Sequence, residues 1–411
     1  MIKYYKKKIF SLKDALNAMP DDLNFRGNSL SDSIRIYDYQ INVLNSIIST
    51  EKKISKEKSF IKKLRQVLRN NGLTKDESSK VKFKIDYSLY KIDGYNDLIY
   101  IFKCFCDALV FKYTPRWNIR HFQINQNSFA LKEAPGFISG KSGFAKERKR
   151  TQELARKGFV PLLNDLTNVM RHGDISLLGD EIPLPIEVKS STNRNRRIER
   201  QFQSRKIIKN FYRNDGGDIS GFQGIKRVSL RGTEKNYTEL MNSTAQEALQ
   251  AGACISTPEA GVRYLAVTGD ASRIISESCD GMLEPVACYV NSFRSIEKWR
   301  DYTPFTLSFQ KQNALYAFLS GKLALIVFVD FGVLREKAEA MGVNVTASDN
   351  KDYAFKLNLK DKADDNFEYI YVSHQFFGRI FLEFMPIDIV LPAVNSQEIL
   401  TFPPQSMPAK S

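Results

Sequence analysis

The sequence predicts a mixed α/β fold of the α+β kind: a helical N-terminal region, a core of strands and basic helices, and a C-terminal α/β extension rich in strands. Three observations predict it. Apolar residues recur at three- and four-residue steps between 34 and 71 and follow a second helical pattern from about 94 to 112, the spacing of one face of an α-helix. The stretch RHGDISLLGDEIPLPIEVKSS, residues 171–191, reads as two apolar strands around a Gly179-Asp180 turn, a hairpin pattern. Beyond residue 290 short apolar runs return, among them LALIVFV and FEYIYVS.

Taken in order, Ile36, Ile41, Leu44 and Ile48, then Ile61, Leu64, Val67 and Leu68, form the stripe of the first helical pattern and are read as core. The helical region ends near 125. Between 132 and 158 the chain turns basic, and GKSGFAKERKRTQELARKG reads as a helix stopped at Gly158. The hairpin follows, then a long basic helix from about 192 to 213. NDGGDISGFQG, 214–224, is expected to be a glycine-rich loop off any strand, with Asp218 a turn residue. After it come a short strand (RVSL), a helix over about 236–252 and a strand (RYLAV). FTLSF, LALIVFV, FEYIYVS and RIFLEFM are expected strands, and the tail PPQSMPAKS lacks the apolar content to fold. The segmentation is a helical region over 1–125, a core over 126–290, a strand-rich extension over 291–402 and a tail over 403–411.

Charge is the unusual feature of the composition. The 411 residues carry 61 Lys+Arg against 46 Asp+Glu, a formal net charge of +15. Such a surplus favours a polyanionic partner, nucleic acid or an acidic membrane surface, over a merely solvated basic surface. Five scattered cysteines do not make a disulfide framework, and Cys104 and Cys106 sit in an apolar run as expected buried thiols. The three histidines, His121, His172 and His374, show no zinc spacing. The start MIKYYKKKIF leads into polar sequence, unlike a secretory signal. The longest apolar runs, LIYIFKCFCDALVF and LALIVFVDFGVL, are short for a bilayer and carry Lys103, Asp107 and Asp330. The expectation is a reduced, cytoplasmic protein with no membrane partner. PGFISGKSG is read as a turn before a basic helix, because a phosphate-binding loop needs glycine where Pro135 stands.

The hairpin carries the chemistry. Side chains alternate faces along a strand, so Leu184, Ile186 and Val188 share one face while Glu187 and Lys189 share the other. In the first strand Ile175 and Leu177 point one way, and His172, Asp174 and Ser176 the other. An even-numbered hairpin loop then makes Asp174 and Glu187 direct or diagonal neighbours on one face. Two carboxylates that close raise the proton affinity of one unless a cation intervenes. Lys189 offers one positive charge, and a hard divalent ion with oxygen ligands suits the remainder. Such an ion polarises a phosphate and lowers the pKa of its water, while an ammonium orients that water or stabilises developing charge. The plain structural alternative is an amphipathic hairpin with an ion pair on its solvated face.

Asp174, then twelve residues, then Glu187-Val188-Lys189 resembles the PD-(D/E)XK, restriction-endonuclease-like nuclease superfamily. That resemblance implies a core of helix, three strands, helix and strand, matched to about 145–268. It implies Asp174 and Glu187 as ligands of Mg2+, or of Mn2+ in its place, helped by the backbone carbonyl of Val188, with Lys189 assisting the water. It also implies a glutamate on the preceding helix, for which Glu153 in TQELARKG is the candidate, with Glu147 behind it. Gly173 stands where the proline of the motif would be, and the helix after Lys189 lacks the Gln-x-x-x-Tyr spacing of the RecB-like branch, so no subfamily is assigned.

From Arg194 to Arg213 the basic helix holds eight Lys/Arg and one acid, Glu199. Ile198, Phe202, Ile208 and Phe211 or Tyr212 form its expected buried stripe, leaving Arg194, Arg197, Arg200 and Arg205 for backbone phosphates. The expected protein is thus a metal-dependent nuclease acting on DNA, associated by analogy with bacterial restriction or antiphage defence, and open to homo-oligomerisation. The rival is a non-catalytic nucleic-acid-binding protein that retains the fold.

Overall fold

A computed structural model of the chain describes residues 2–23, 28–69, 72–119, 122–123, 136–141, 143–180, 182–188, 203, 206–207, 210–211, 213–214, 216–219, 222–226, 235–269, 272–351, 353–359 and 369–391. It is a mixed α/β structure whose sheets are all antiparallel. The chain forms two compact units, residues 1–232 with 294–320, and residues 233–293 with 321–411. The expected core span 126–290 is therefore divided at 232/233, and part of the expected extension returns to the first unit.

Two long helices dominate the first unit, α2 (Leu30–Arg69) and α3 (Lys75–Tyr113), after the shorter α1 (Lys6–Asn17). The α2 stripe is buried as expected at Ile36, Leu44 and Ile61, whereas Val67, expected as core, is 41% exposed near the helix end. α3 begins well before the expected residue 94, because Thr74 starts it with a reciprocal cap: Glu77 N–H donates to Thr74 Oγ1, and Thr74 N–H to the Glu77 carboxylate. In the half remote from the sheet, Ile54 and Ile61 of α2 meet Ile85 and Ile92 of α3 in a cluster of its own. The other half, from Leu98 to Val110, is buried at almost every turn. α4 (Arg116–Ile119) and α5 (Phe144–Ala155) follow, and Gly158 takes φ +77 three residues past the end of α5, a backbone angle that favours glycine.

The sheet of this unit runs in the order β1 (Val160–Leu163), β2 (Ile175–Leu178), β3 (Leu184–Ile186). Edge strand β1 is finished by a side chain: Gln40 of α2 donates to Pro161 O at 2.8 Å and accepts from Leu163 N–H at 2.9 Å. An edge position also accommodates Pro161, which has no N–H for a ladder. Both faces of central β2 are buried, Ser176 included, whereas edge strand β3 is half-buried at Leu184 and Ile186.

Asp218 departs from its expectation. It lies within β4 (Gly216–Ile219), paired with β5 (Phe222–Lys226), and accepts a hydrogen bond from Gly224 N–H. The register shifts between Gly217 and Ile219, with Gly217 at φ +135; glycines that permit a bulge turned an expected loop into a hairpin. FTLSF is likewise a helix, Phe305–Ser308, started by Pro304.

In the second unit the order is β6-β7-β9-β8 (Ala253–Glu259, Val262–Val267, Ala324–Asp330, Pro285–Tyr289), with helix α6 (Thr238–Ala251) packed on β6 and β7. Leu265, Val267, Ile326 and Phe328 form an apolar cluster on it. RYLAV thus belongs to this sheet, and is not the fourth strand of β1–β3. A second sheet joins β10 (Val343–Ala347), β11 (Tyr353–Leu359) and β12 (Tyr369–Ser373). RIFLEFM, expected as a strand, falls mostly in helix His374–Leu382, capped by the Ser373 hydroxyl accepting from Phe376 N–H. Among the described residues no helix is long and apolar enough to cross a membrane.

Candidate active site

The hairpin brings the two acids to the same end of the β2–β3 pair. Ile175 pairs with Ile186 and Leu177 with Leu184; Asp174 immediately precedes the first of these pairs and Glu187 immediately follows it, where the ladder ends. Six residues lie between the last paired positions, an even number. Asp174 is held through its backbone on both sides, its N–H donating to Ile186 O at 3.0 Å and its carbonyl accepting from Asn164 N–H at 3.0 Å. Val188 N–H donates to the Asp174 carboxylate at 2.8 Å. Gly173 has φ +79, and a Cβ there would stand 3.2 Å from both Ile186 O and Pro185 Cβ. Proline, fixed near φ −65°, does not adopt that angle.

The α5 carboxylate that interacts with the Asp174 charge is Glu147. It is buried on α5, and its proton affinity is raised by burial first and by the Asp174 charge second, against the pull of Lys141. Glu153 lies six residues further, about 240° round the helix at 100° per residue; it is exposed and pairs with Arg150 at 3.1 Å. The structure thus brings Glu147 to Asp174 and turns Glu153 away. Lys141, from the GKSG turn, reaches Glu147 at 3.1 Å and Asp165 at 2.7 Å. Burial weakens its ammonium, and the two carboxylates more than offset this. The preceding turn is anchored by buried Glu51 of α2, whose carboxylate accepts from Ile138 N–H and Ser139 N–H at 2.9 and 2.8 Å.

Behind these groups lies further buried charge. Asp107 of α3 accepts from Asn168 through both its backbone and side-chain nitrogens, and burial raises its carboxyl to about 6 against those bonds. Lys103 is lowered to about 8 by burial, helped by the Arg171 charge. His172, flanking Asp174, is buried with its ring edge-on to Phe122.

Sequence reasoning missed Lys141, Asp165 and Glu51 as neighbours of the acids. The GKSG turn was the only available signal, and it was read as a mere helix start. Lys189, Arg194, Arg197, Arg200 and Arg205 lie outside the described residues. Of the basic helix, Gln203, Lys206, Ile207, Asn210, Phe211 and Arg213 are described and helical, with Phe211 buried as its stripe requires. Among the described residues no group of three or more His, Cys, Asp or Glu is arranged to hold a metal ion. The donors at Asp174, Glu187 and the Val188 carbonyl are hard oxygens, the chemistry that Mg2+ prefers. No protein-family model, curated protein or solved structure matches the chain.

Proposed function

We propose that this protein is a metal-dependent nuclease that hydrolyses phosphodiester bonds, with DNA as the substrate. The observation that supports the reading is that Asp174 and Glu187 flank the same end pair of β2 and β3, Ile175 with Ile186, while the Asp174 charge raises the proton affinity of Glu147. Asp174, Glu187 and the Val188 carbonyl would hold Mg2+ or Mn2+, which when bound polarises a phosphate and acidifies a coordinated water. The chain's own groups do the rest. Val188 N–H fixes one Asp174 oxygen, so that the carboxylate does not rotate. Glu147 has its proton affinity raised, which suits a group that takes or holds a proton beside the reacting phosphate. Lys141 balances Glu147 and Asp165 without reaching outside the unit. Lys189 is assigned to the attacking water by the resemblance alone, and the four arginines of the basic helix to backbone phosphates. A role in restriction or antiphage defence follows only by association.

A second reading has one observation in its favour. Lys141 already neutralises two acids of the cluster, as it would in a non-catalytic nucleic-acid-binding protein that uses this fold as a scaffold. Incubation of purified protein with plasmid, linear DNA and RNA, with and without Mg2+, separates the two. The nuclease reading expects Mg2+-dependent cuts that Asp174→Asn, Glu187→Gln and Lys189→Ala each remove while binding persists. Cleavage by Asp174→Asn at the parent's rate would show that the active site lies elsewhere, and binding without any cleavage would favour the scaffold.

A further inference from the structure

The remote half of the α2–α3 pair has an outer face that the proposed cleavage does not use. Between Lys52 and Ile92 the chain holds thirteen Lys/Arg against four Asp/Glu, in a protein of net charge +15. The apolar contacts of this arm are internal, Ile54 and Ile61 against Ile85 and Ile92. On α3, Phe83, Tyr87 and Tyr90 are nonetheless 71%, 53% and 72% exposed. At 100° per residue the three rings lie about 140–160° from the Ile85 direction, so they form one stripe on the side facing away from α2. Their spacings of four and three residues step about 6 and 4.5 Å along the axis. Lys80, Lys84 and Lys91 follow one edge of the stripe, with Lys91 Nζ 4.8 Å from the Tyr87 ring centroid and 3.0 Å from Glu57.

Three large rings in water are costly unless something covers them. A second copy of this chain would bring a like charge onto a like charge. A membrane surface would meet rings with few aliphatic neighbours and with Asp86 and Asp93 on the opposite edge of the stripe, unlike an interfacial helix. A polyanion that carries flat apolar rings matches both features. In a duplex those rings are already stacked on one another, whereas an unpaired strand offers them to aromatic side chains beside a basic track. We infer that the Phe83–Tyr87–Tyr90 stripe with Lys80, Lys84 and Lys91 is a binding site for unpaired nucleic acid, in which bases stack on the rings and phosphates run along the lysines. The site does not depend on the acid cluster being catalytic.

The test uses the full chain with Tyr87→Trp as a local reporter. Titration with oligodeoxythymidine is expected to quench the new indole, and a fully paired duplex at the same phosphate concentration to leave it nearly unchanged. An oligouridine arm distinguishes RNA from DNA as the source of the strand, and quenching by either supports the site. Without the reporter, Phe83→Ala, Tyr87→Ala and Tyr90→Ala together should weaken oligodeoxythymidine binding by at least about tenfold, with little change in salt slope. Tyr87→Phe with Tyr90→Phe should retain the affinity. Lys80→Gln with Lys84→Gln should lower the salt slope by roughly 1.4, about 0.7 per neutralised contact. Circular dichroism should be unchanged throughout, because the rings lie outside the arm's core. Several outcomes would overturn the inference: no quench with either oligonucleotide, equal quench by duplex, quench only by phosphatidylglycerol vesicles, or a parent dimer that the triple alanine change dissociates. Cleavage is read separately. Loss of cleavage with the quench intact counts against the nuclease alone, and cleavage without any quench counts against this site alone.

Discussion

Two buried acids, one in each unit, are treated in opposite ways. Asp330 ends β9 and caps the helix that follows; Leu283, Glu284 and Gly332 N–H all donate to its carboxylate at 2.8–3.0 Å. Burial pushes its proton affinity up, and those backbone donors together with Val333 N–H bring it below the ordinary carboxylate range. Glu147 has burial and the Asp174 charge both acting to raise its affinity, and one shared lysine against them. The sheet beside Asp330 packs on an apolar cluster. The sheet beside Glu147 has Asp107, Lys103 and Arg171 buried in the same unit, with Arg171 Nη1 finding no hydrogen-bond partner among the described residues. A carboxylate surrounded by N–H donors stabilises a fold; one set against another carboxylate does not. Strained electrostatics of that kind cluster at functional sites, and the contrast is the physical ground for looking there.

The largest expected effect breaks or upholds that contrast directly. Asp174→Asn should lower Mg2+-dependent cleavage by about 100-fold or more, whereas Asp330→Asn should leave the rate per folded molecule unchanged. Initial rates on linear DNA check both. Equal losses in the two variants would erase the distinction between the acids.

Next in size is the alkaline behaviour of Lys103. Its folded-state pKa is lowered from 10.5 to about 8, so below pH 8 the folded protein carries a buried ammonium at a cost. Between pH 8 and 10.5 the folded state has released that proton while the unfolded state still holds it, and stability gained from this group rises with pH. Lys103→Met should therefore stabilise the protein at pH 7 by at most about 3 kcal/mol, and its advantage over the parent should shrink from pH 8 to 10.5. Paired urea titrations across that range read the difference. A constant offset would mean that Lys103 is not strained by burial.

Smaller again, Asp330→Asn should cost about 2 kcal/mol, since an amide cannot satisfy three backbone donors as a carboxylate does. The denaturation midpoint reads it, and a neutral result would remove the stabilising half of the comparison. The smallest effect sharpens the other half. Without metal, Glu147→Gln should leave stability unchanged or raise it by less than about 1 kcal/mol, because the repulsion by Asp174 is relieved as the Lys141 pair is lost. Glu153→Gln, on the exposed side of α5, should alter neither stability nor cleavage. A larger cleavage loss at Glu153 than at Glu147 would reverse their roles.

Particular elements show where the sequence sufficed. Residues along α2 declare the helix because its buried positions, Ile36, Val43, Leu44, Ile47 and Ile54, repeat with the helical period. FTLSF and RIFLEFM became helices because a short run buried on nearly all sides carries no period to tell helix from strand; a proline precedes the first, and the Ser373 hydroxyl caps the helix that holds most of the second. Lys75 to about Tyr90 of α3 was missed for a related reason: few of its residues are buried, and the aromatic stripe faces outward.

At the candidate site, alternation along two strands was enough to pair the β2 and β3 segments next to Asp174 and Glu187, because side-chain direction in a strand is set locally. The sequence by itself also determined the basic surplus and the glycine at 173, whose positive φ proline cannot adopt. Only the tertiary structure decided that Glu147 and not Glu153 turns toward Asp174, since the two differ by a rotation about α5 that depends on which face packs on β1. Only the tertiary structure brought Lys141 to Asp165 and Glu51 to the turn at Ile138 and Ser139. These pairs join segments 24 and 87 residues apart, and no local periodicity reaches that far. Contacts of that range form only when the packing of helices and sheet closes the chain between them.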